Sequence, residues 1–318
     1  MSPVSATLWL LQNAPVSSQT FPADDVKYVY SAQHKPIGSV RPGERFIVDT
    51  ADCFTGRYSD PADFGPESAA WVDANLNPVT GPMSAEVAVP GGAVEIYIES
   101  ITVTTPGMVV ISRCAALSPA DWWHEEEYAV SLPVSDGRIV IRDDWSVPVR
   151  PLIGCIATAP ARETVLSRHE GNSYGGNMDC SAVTSGATVI LPVNVAGGLL
   201  YFGDCKAAMG AGEVTCSPEC GTRIIAAATP VARPTSMNAA RVRTSTHLTT
   251  IVSGIFLANA CRDAFRELKL WLTDEWQVDP DDAAVVMGMA ADCGVCQVSN
   301  LLYTATCRIR RDLLPPAG

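Results

Sequence analysis

Short runs of alternating apolar and polar residues dominate the first two-thirds of the chain. Residues 26–30 (VKYVY), 45–49 (RFIVD) and 94–99 (VEIYIE) alternate with period two, as strands with one buried face do. Turn signals punctuate them: Arg41-Pro42-Gly43, Pro90-Gly91-Gly92 and Thr105-Pro106-Gly107 each set a fixed-φ proline beside a permissive glycine. Residues 109–111, 137–141 and 187–192 continue the theme. Strands at this spacing, with 24 glycines and 23 prolines, predict a β-rich core of sandwich or barrel type.

The period changes towards the C-terminus. Across residues 259–272, Ala260, Phe265, Leu268 and Trp271 recur at helical spacing among charges, which predicts an amphipathic helix. Pro280 stands just inside the start of a second helix through residues 283–291, where Asp279, Asp281 and Asp282 suit the positive end of the dipole. Residues 297–309 return to strand-like content. No repeat, low-complexity tract or linker divides the chain. The expectation is one interwoven α+β domain over residues 1–318, predominantly β, β-rich over 1–245 and helix-containing over 246–318. A hairpin of residues 188–192 and 199–202, turning through Ala196-Gly197-Gly198, would bring the flanking glycine-rich loops to one end of a sheet.

Composition narrows the partners. The 318 residues carry a net charge of −12, which opposes nucleic-acid phosphates and anionic membrane surfaces. The densest basic cluster, Arg308, Arg310 and Arg311, is too small to reverse this. No apolar run approaches the roughly 20 residues of a membrane span. The opening MSPVSATLWLLQNAP lacks a basic region ahead of its short apolar stretch, so no secretory signal is expected. Eleven cysteines without a dense spacing pattern read as reduced thiols, and the expected location is the cytoplasm.

Chemistry concentrates in residues 174–213. Tyr174-Gly175-Gly176-Asn177-Met178-Asp179 is followed by Gly203-Asp204-Cys205-Lys206 and by Gly210-Ala211-Gly212-Glu213. Glycines let backbone approach a ligand, while Asp179, Asp204 and Glu213 supply oxygen ligands or acid–base groups. Carboxylates gathered this way repel one another unless a cation or a shared proton neutralises them. The bland reading of the same residues, glycines shaping turns and acids capping loops, carries equal weight on pattern alone.

The string GGNMD, then LPV, then GD–A–MG–GEV resembles the signature of the acetamidase/formamidase family, which hydrolyses short amides to ammonia and a carboxylate. Further segments are similar in the same order: the NP–TGP stretch at residues 77–82 with Glu86 after it, Thr50-Ala51-Asp52, the stretch 151–160, and the C-terminal helix with Asp292 and Gln297-Val298. The resemblance spans residues 26–315 and implies a β-sandwich core with C-terminal helices, a small linear amide as substrate, and a homo-oligomer, a dimer, for which Trp271 or Trp276 would serve. It further implies a divalent cation, zinc or calcium, held by Asp52, Asp179 and Asp204. Glu213, Asp204, Lys206 and Asn177 then fall on catalytic positions, with Tyr174, Gly175, Gly176, Cys205, Thr80 and Glu86 lining the substrate. Glu213 would take a proton from water, and Asn177 or loop N–H groups would hold the oxyanion.

Three positions depart from the family pattern. Tyr174 and Lys206 stand where the family commonly has histidine, and Ala211 stands where it has aspartate. The family's glutamate after a Gly-Thr-Gly turn is missing at residues 221–225, following an insertion around residues 215–219. Lys206 can supply a cation's charge in place of a metal, or attract an anionic substrate. Cys205, Lys206 and Glu213 are also the residue types of a thiol amidase, although adjacent strand side chains point apart. Cys216, Cys220, Cys293 and Cys296 would make a zinc site unless they are core packing. His169, five residues before Tyr174, is a candidate replacement for a missing imidazole, and His124, between Trp122-Trp123 and Glu125-Glu126-Glu127, is a candidate site residue unless it belongs to a solvated acidic turn. The alternative to an amidase of altered specificity is a catalytically degenerate homologue that binds a small molecule or stabilises a partner.

Overall fold

In the computed structural model of the chain, residues 16–315 are described except Ser59, Pro66 and residues 112–127; the opening segment, Trp122, Trp123 and His124 lie outside the described residues. The alternating segments build two facing sheets. One has nine strands, in the order Val16–Phe21, Arg45–Thr50, Thr222–Val231, Ala93–Val103, Thr188–Pro192, Ala240–Arg243, His247–Gly254, Tyr303–Arg310 and Asp292–Gln297. The other has six, in the order Glu170–Gly171, Gly175–Asn177, Leu152–Ala157, Leu200–Lys206, Val79–Ala85 and Gly38–Val40. Val48, Ile96, Leu191 and Ile224 of the first sheet meet Met83, Ile153, Ile156 and Phe202 of the second in one apolar cluster. That cluster is the filling of a β-sandwich, and the fold is predominantly β with C-terminal helices.

The other face of the nine-stranded sheet is covered by the helix Leu257–Asp274, whose Ala264, Leu268, Trp271 and Leu272 pack on Ile190, Leu248, Val252 and Ile309. Two expectations about this helix are corrected. Phe265 lies off the buried stripe and is 37% exposed, because the stripe runs through Ala260, Ala264, Leu268 and Leu272 at four-residue spacing. Trp271 is buried under the Arg241 guanidinium, 5.1 Å from its ring centroid, and offers no surface to a second subunit. Trp276 is partly buried against the same cluster. The second helix, Pro280–Ala290, starts as expected, with the Asp279 side chain accepting from the N–H groups of Asp281 and Asp282. A short helix, Ser68–Asn75, has no periodic pattern to announce it.

The expected hairpin does not form. Thr188–Pro192 belongs to the nine-stranded sheet and Leu200–Lys206 to the six-stranded one, so the glycine-rich turn carries the chain from one layer to the other. The two loops converge for a different reason. Gly175–Asn177 and Leu200–Lys206 flank the same strand, Leu152–Ala157, and Cys155 pairs with Asn177 on one side and with Gly203 on the other.

Leu268→Ala is expected to lower unfolding free energy by about 2–5 kcal/mol, whereas Phe265→Ala changes it by less than about 1 kcal/mol. Urea denaturation of the two variants checks this assignment of the buried stripe.

Candidate functional site

The strand Leu200–Lys206 delivers the centre of the site by breaking its own alternation. Leu200 and Phe202 face the sandwich interior and Tyr201 faces a second cluster on the outer side. Strict alternation would send Asp204 and Lys206 inward with Phe202. Instead Asp204 takes the left-handed conformation, with φ of 52°, and the phase slips by one residue. Cys205 enters the apolar filling, while Asp204 and Lys206 point out of it and meet. Asp179, with φ of 46°, and Glu213, with φ of 39°, occupy the same sparsely populated region. A left-handed non-glycine residue costs on the order of 1–2 kcal/mol and persists only where its surroundings fix it. Three carboxylates share that strain.

All three converge on one buried ammonium. Lys206 Nζ donates to Asp179 Oδ1 at 2.7 Å and to Asp204 Oδ2 at 2.9 Å, and lies 3.4 Å from Glu213 Oε1 and 3.5 Å from Glu219 Oε1. Glu219 is a fourth acid that the sequence pattern does not single out. The pattern looks for the family's glutamate after the Gly221-Thr222 turn, whereas this one stands just before it, within the segment read as an insertion. Backbone bonds place it: Glu219 N–H and C=O both pair with Met108, and Cys220 N–H donates to the Cys205 carbonyl. Gly154 makes the room. A Cβ there would sit 2.4 Å from Asp179 Oδ1 and 2.6 Å from Asp204 Oδ2.

The loop joining the last two strands closes the other side. Asn300 donates to Asp179 Oδ2 at 3.0 Å and Ser299 to Glu213 Oε2 at 3.3 Å. Gln297, fully buried, holds this loop by donating to the Leu302 carbonyl and accepting from Asn300 N–H. Glu213 is tied to the same edge, since Gly212 N–H donates to the Cys296 carbonyl and Val298 N–H donates to that of Gly212.

One ammonium cannot balance four carboxylates. Burial pushes the carboxyl groups of Asp204, Glu213 and Glu219 up, and their mutual repulsion adds to it, with Lys206 offsetting only part. Burial acts on Lys206 in the opposite sense, but Asp179, Asp204, Glu213 and Glu219 outweigh it and hold the ammonium charged. Protons on the carboxyl groups therefore supply the remaining neutralisation. Glu170, on the neighbouring strand, is 5% exposed, and neither of its carboxyl oxygens has a hydrogen-bond partner. Burial lifts it from 4.5 to about 8, so it is protonated at neutral pH.

The remaining expected residues take a variety of places around this centre. Asn177 is buried at the edge of the cluster, donating to the Arg168 carbonyl and accepting from the Cys155 thiol, which also approaches Asp204 Oδ2 at 3.8 Å. Gly175 and Gly176 have positive φ and serve tight strand packing, a Cβ lying 2.4 Å from the Ile156 carbonyl oxygen and 2.6 Å from that of His169. Tyr174 packs against Tyr30 and donates to the Glu170 carbonyl. Thr80 donates to the Asp49 carbonyl, and Glu86 accepts from Ser39 at the surface. Asp52 folds its own turn, accepting from the N–H groups of Phe54 and Gly56. Cys205 faces away from Lys206 with its thiol pushed up to about 11 by burial, so the thiol-nucleophile arrangement is not assembled. His169 contributes its backbone carbonyl to Asn177 N–H; desolvation and Arg168 hold its imidazole below the usual value. The four-cysteine zinc site is not assembled either. Cys220 packs with Ile139 and Ala207, Cys296 lies against Cys180, and Cys216 and Cys293 are exposed.

A different group has metal-ligating character. Ligand atoms of Cys53, Asp204 and Glu219, all buried, lie within 4.8 Å of one another, and Glu219 Oε2 has no hydrogen-bond partner. Lys206 nevertheless occupies the space this group would share with a cation. A divalent ion bonded to Asp204 and Glu219 would face the ammonium across roughly 4 Å, a repulsion on the order of 8 kcal/mol at an effective dielectric of 20. Burial and the adjacent carboxylates also keep the Cys53 thiol protonated, where a metal needs the thiolate. With Lys206 charged in place, these residues do not fit a divalent cation.

Fold and site together define a predominantly β protein built around a buried ammonium–carboxylate centre. Residues 141–245 match the model of the Acetamidase/Formamidase family, a span holding Lys206 and its four carboxylates. Among solved structures, an acetamidase from Bacillus halodurans is 27% identical with a TM-score of 0.84, over 92% of this chain and 97% of that one. A recombinant predicted acetamidase/formamidase from the thermophile Thermoanaerobacter tengcongensis is 27% identical with a TM-score of 0.86, over 93% and 96%. An acetamidase from Yersinia enterocolitica, 23% identical with a TM-score of 0.84 over 97% and 99%, shares the fold. No curated protein matches the chain. The chain is thus similar to the acetamidase/formamidase family, by the family model over residues 141–245 and by whole-chain likeness to acetamidase structures.

Gly154→Ala is expected to separate Asp179 from Asp204 and to lower the melting temperature markedly, because the intruding Cβ meets carboxylates that cannot retreat from Lys206. Glu170 gives a pH signature. Its folded value lies above its unfolded one, so it is without effect below about pH 4.5, costs stability as pH rises towards 8, and costs a constant amount above that. Glu170→Gln removes this cost, so its stability advantage over the parent should grow by a few kcal/mol, in order of magnitude, between pH 5 and 8. Denaturation at both values measures it.

Proposed function

We propose that the protein hydrolyses a small, uncharged linear amide to a carboxylate and ammonia at the Lys206 cluster. The observation that carries this reading is the geometry of that cluster: one fixed ammonium among four carboxyl groups, with the proton affinity of Asp204, Glu213 and Glu219 raised by burial. Amide hydrolysis needs a base for the attacking water, a positive group for the developing oxyanion and a proton for the leaving nitrogen. Glu213 lies at the edge of the cluster beside the Ser299 hydroxyl, and burial raises its carboxyl above the usual range, which strengthens it as the base for water. The Lys206 ammonium supplies the fixed positive charge, Asn300 a neutral donor beside it, and a protonated neighbour such as Glu219 or Asp204 the proton for nitrogen. The water's oxygen ends in the carboxylate, and its protons leave on ammonia.

The excess of carboxyl groups also bears on substrate. Lys206 is already shared by four acids, so its charge is not available to recruit an anionic amide, and a neutral one is favoured. Cytoplasmic residence and assembly as a homodimer belong to the same reading. Cys53, Cys155, Cys180, Cys205, Cys220, Cys296 and Cys307 are buried free thiols, as a reducing compartment allows.

The nearly complete burial of Lys206 and its partners, with side-chain exposures of 2–10%, favours the second reading, a homologue that binds a small molecule without turnover. Ammonia release from a panel of short neutral and carboxylate-bearing amides separates the two. Turnover of neutral amides, falling by about 10²–10⁴ in kcat in a folded Glu213→Gln variant, is the expected result. Thermal stabilisation by an amide without ammonia release would establish the binding protein instead.

A further inference from the structure

The resemblance implies a divalent cation, and the side chains present leave no seat for one while Lys206 is charged. We propose that the Lys206 ammonium is the resident cation of this centre, so that the protein works without a metal, and that deleting the ammonium opens a zinc site on Cys53, Asp204 and Glu219. Lys206 Nζ lies within 2.7–3.5 Å of oxygens from four different acids, which are supplied by four separate segments of chain. No other lysine or arginine is paired with any of them among the described residues. The ammonium is thus the common counter-ion that holds these segments together, which is the structural role of a bound metal.

Removing the ammonium leaves four buried acids that must take up protons or another cation. The sulfur of Cys53 stands with Asp204 and Glu219 inside a 4.8 Å group, and Glu219 Oε2 is unpartnered there although the residue is 7% exposed. A thiolate with two carboxylates selects zinc over calcium, since calcium takes oxygen ligands. Zinc entering this group bonds to sulfur and two oxygens and displaces the Cys53 proton to solvent.

The inference concerns the same cluster as the amidase reading, but metal content rather than turnover decides it, so either can fail alone. The parent chain and a Lys206→Met variant, whose side chain is close in length, are purified from zinc-supplemented cultures, desalted and assayed for zinc and calcium. Both are also melted with zinc and with chelator. The parent is expected to hold well under one equivalent of either metal and to melt alike in both conditions. Lys206→Met is expected to hold close to one equivalent of zinc and to melt several degrees higher with zinc than with chelator. Adding Cys53→Ser should weaken that zinc binding by about tenfold or more. A Lys206→Met chain that folds only when zinc is present counts as the same result. Stoichiometric zinc or calcium in the parent, released by chelator with a fall in melting temperature, would overturn the proposal whether or not the variant folds. So would a folded Lys206→Met variant indifferent to zinc.

Discussion

Burying an ammonium among four carboxyl groups is the constraint around which the rest of this structure is arranged. Each group gives up its hydration on folding, a cost of several kcal/mol per ion that mutual attraction repays only with close geometry and satisfied hydrogen bonds. The fold meets that condition unevenly. Asp179 has both Lys206 and Asn300, and Asp204 has Lys206 with the Cys155 thiol nearby. Glu219 keeps one oxygen unpartnered, and Glu170 beside the cluster keeps two. The shortfall is made up by protons rather than by further partners. A centre rich in carboxyl groups of raised proton affinity, next to one fixed positive charge, is what acid–base chemistry on a neutral substrate requires.

Rigidity comes from the layers on either side. Asp179 and Asp204 extend from strands that flank Leu152–Ala157, at a point where Gly154 brings no side chain. Glu213 and the Ser299–Asn300 pair are anchored to the edge of the other sheet through the backbone of Gly212, Cys296 and Val298. The centre thus bridges both sheets of the sandwich, and left-handed backbone at three of its acids is the strain that this bridging maintains. The departures from the family pattern read consistently in this light. Lys206 brings its own charge to the centre, and Tyr174, in place of an imidazole, packs into the aromatic cluster with Tyr30 and Tyr201 instead of facing the carboxylates.

Much of this is legible in residue order. The long helix, the proline-started second helix and most strands emerge from periodicity, because burial on one face is a local property of spacing. The site segment is legible too: Asn177, Asp179, Asp204, Lys206 and Glu213 all fall at or beside the centre. Glu219 escapes such a reading because a motif read by offset cannot track an acid that has moved to the other side of its turn. Cys53 is masked by Asp52, the more obvious ligand, which spends its carboxylate on the turn that positions its neighbour. Gly154, Ser299 and Asn300 carry no chemical signature in sequence. Their importance lies in space left empty or in a donor brought across the sandwich.

The sequence by itself therefore determined a predominantly β fold with a helical cover, the resemblance to a family, and the stretch of chain that builds the buried centre, because pattern and motif are local. It also determined the net inventory of the centre, acids in excess over a single lysine. Only the tertiary structure decided which acids share that lysine, that Cys205 turns away from it, and that its ammonium fills the seat a metal would need. Those outcomes depend on sheet order and on a one-residue slip of phase at Asp204. They are set by the packing of two layers against each other, which no single segment encodes.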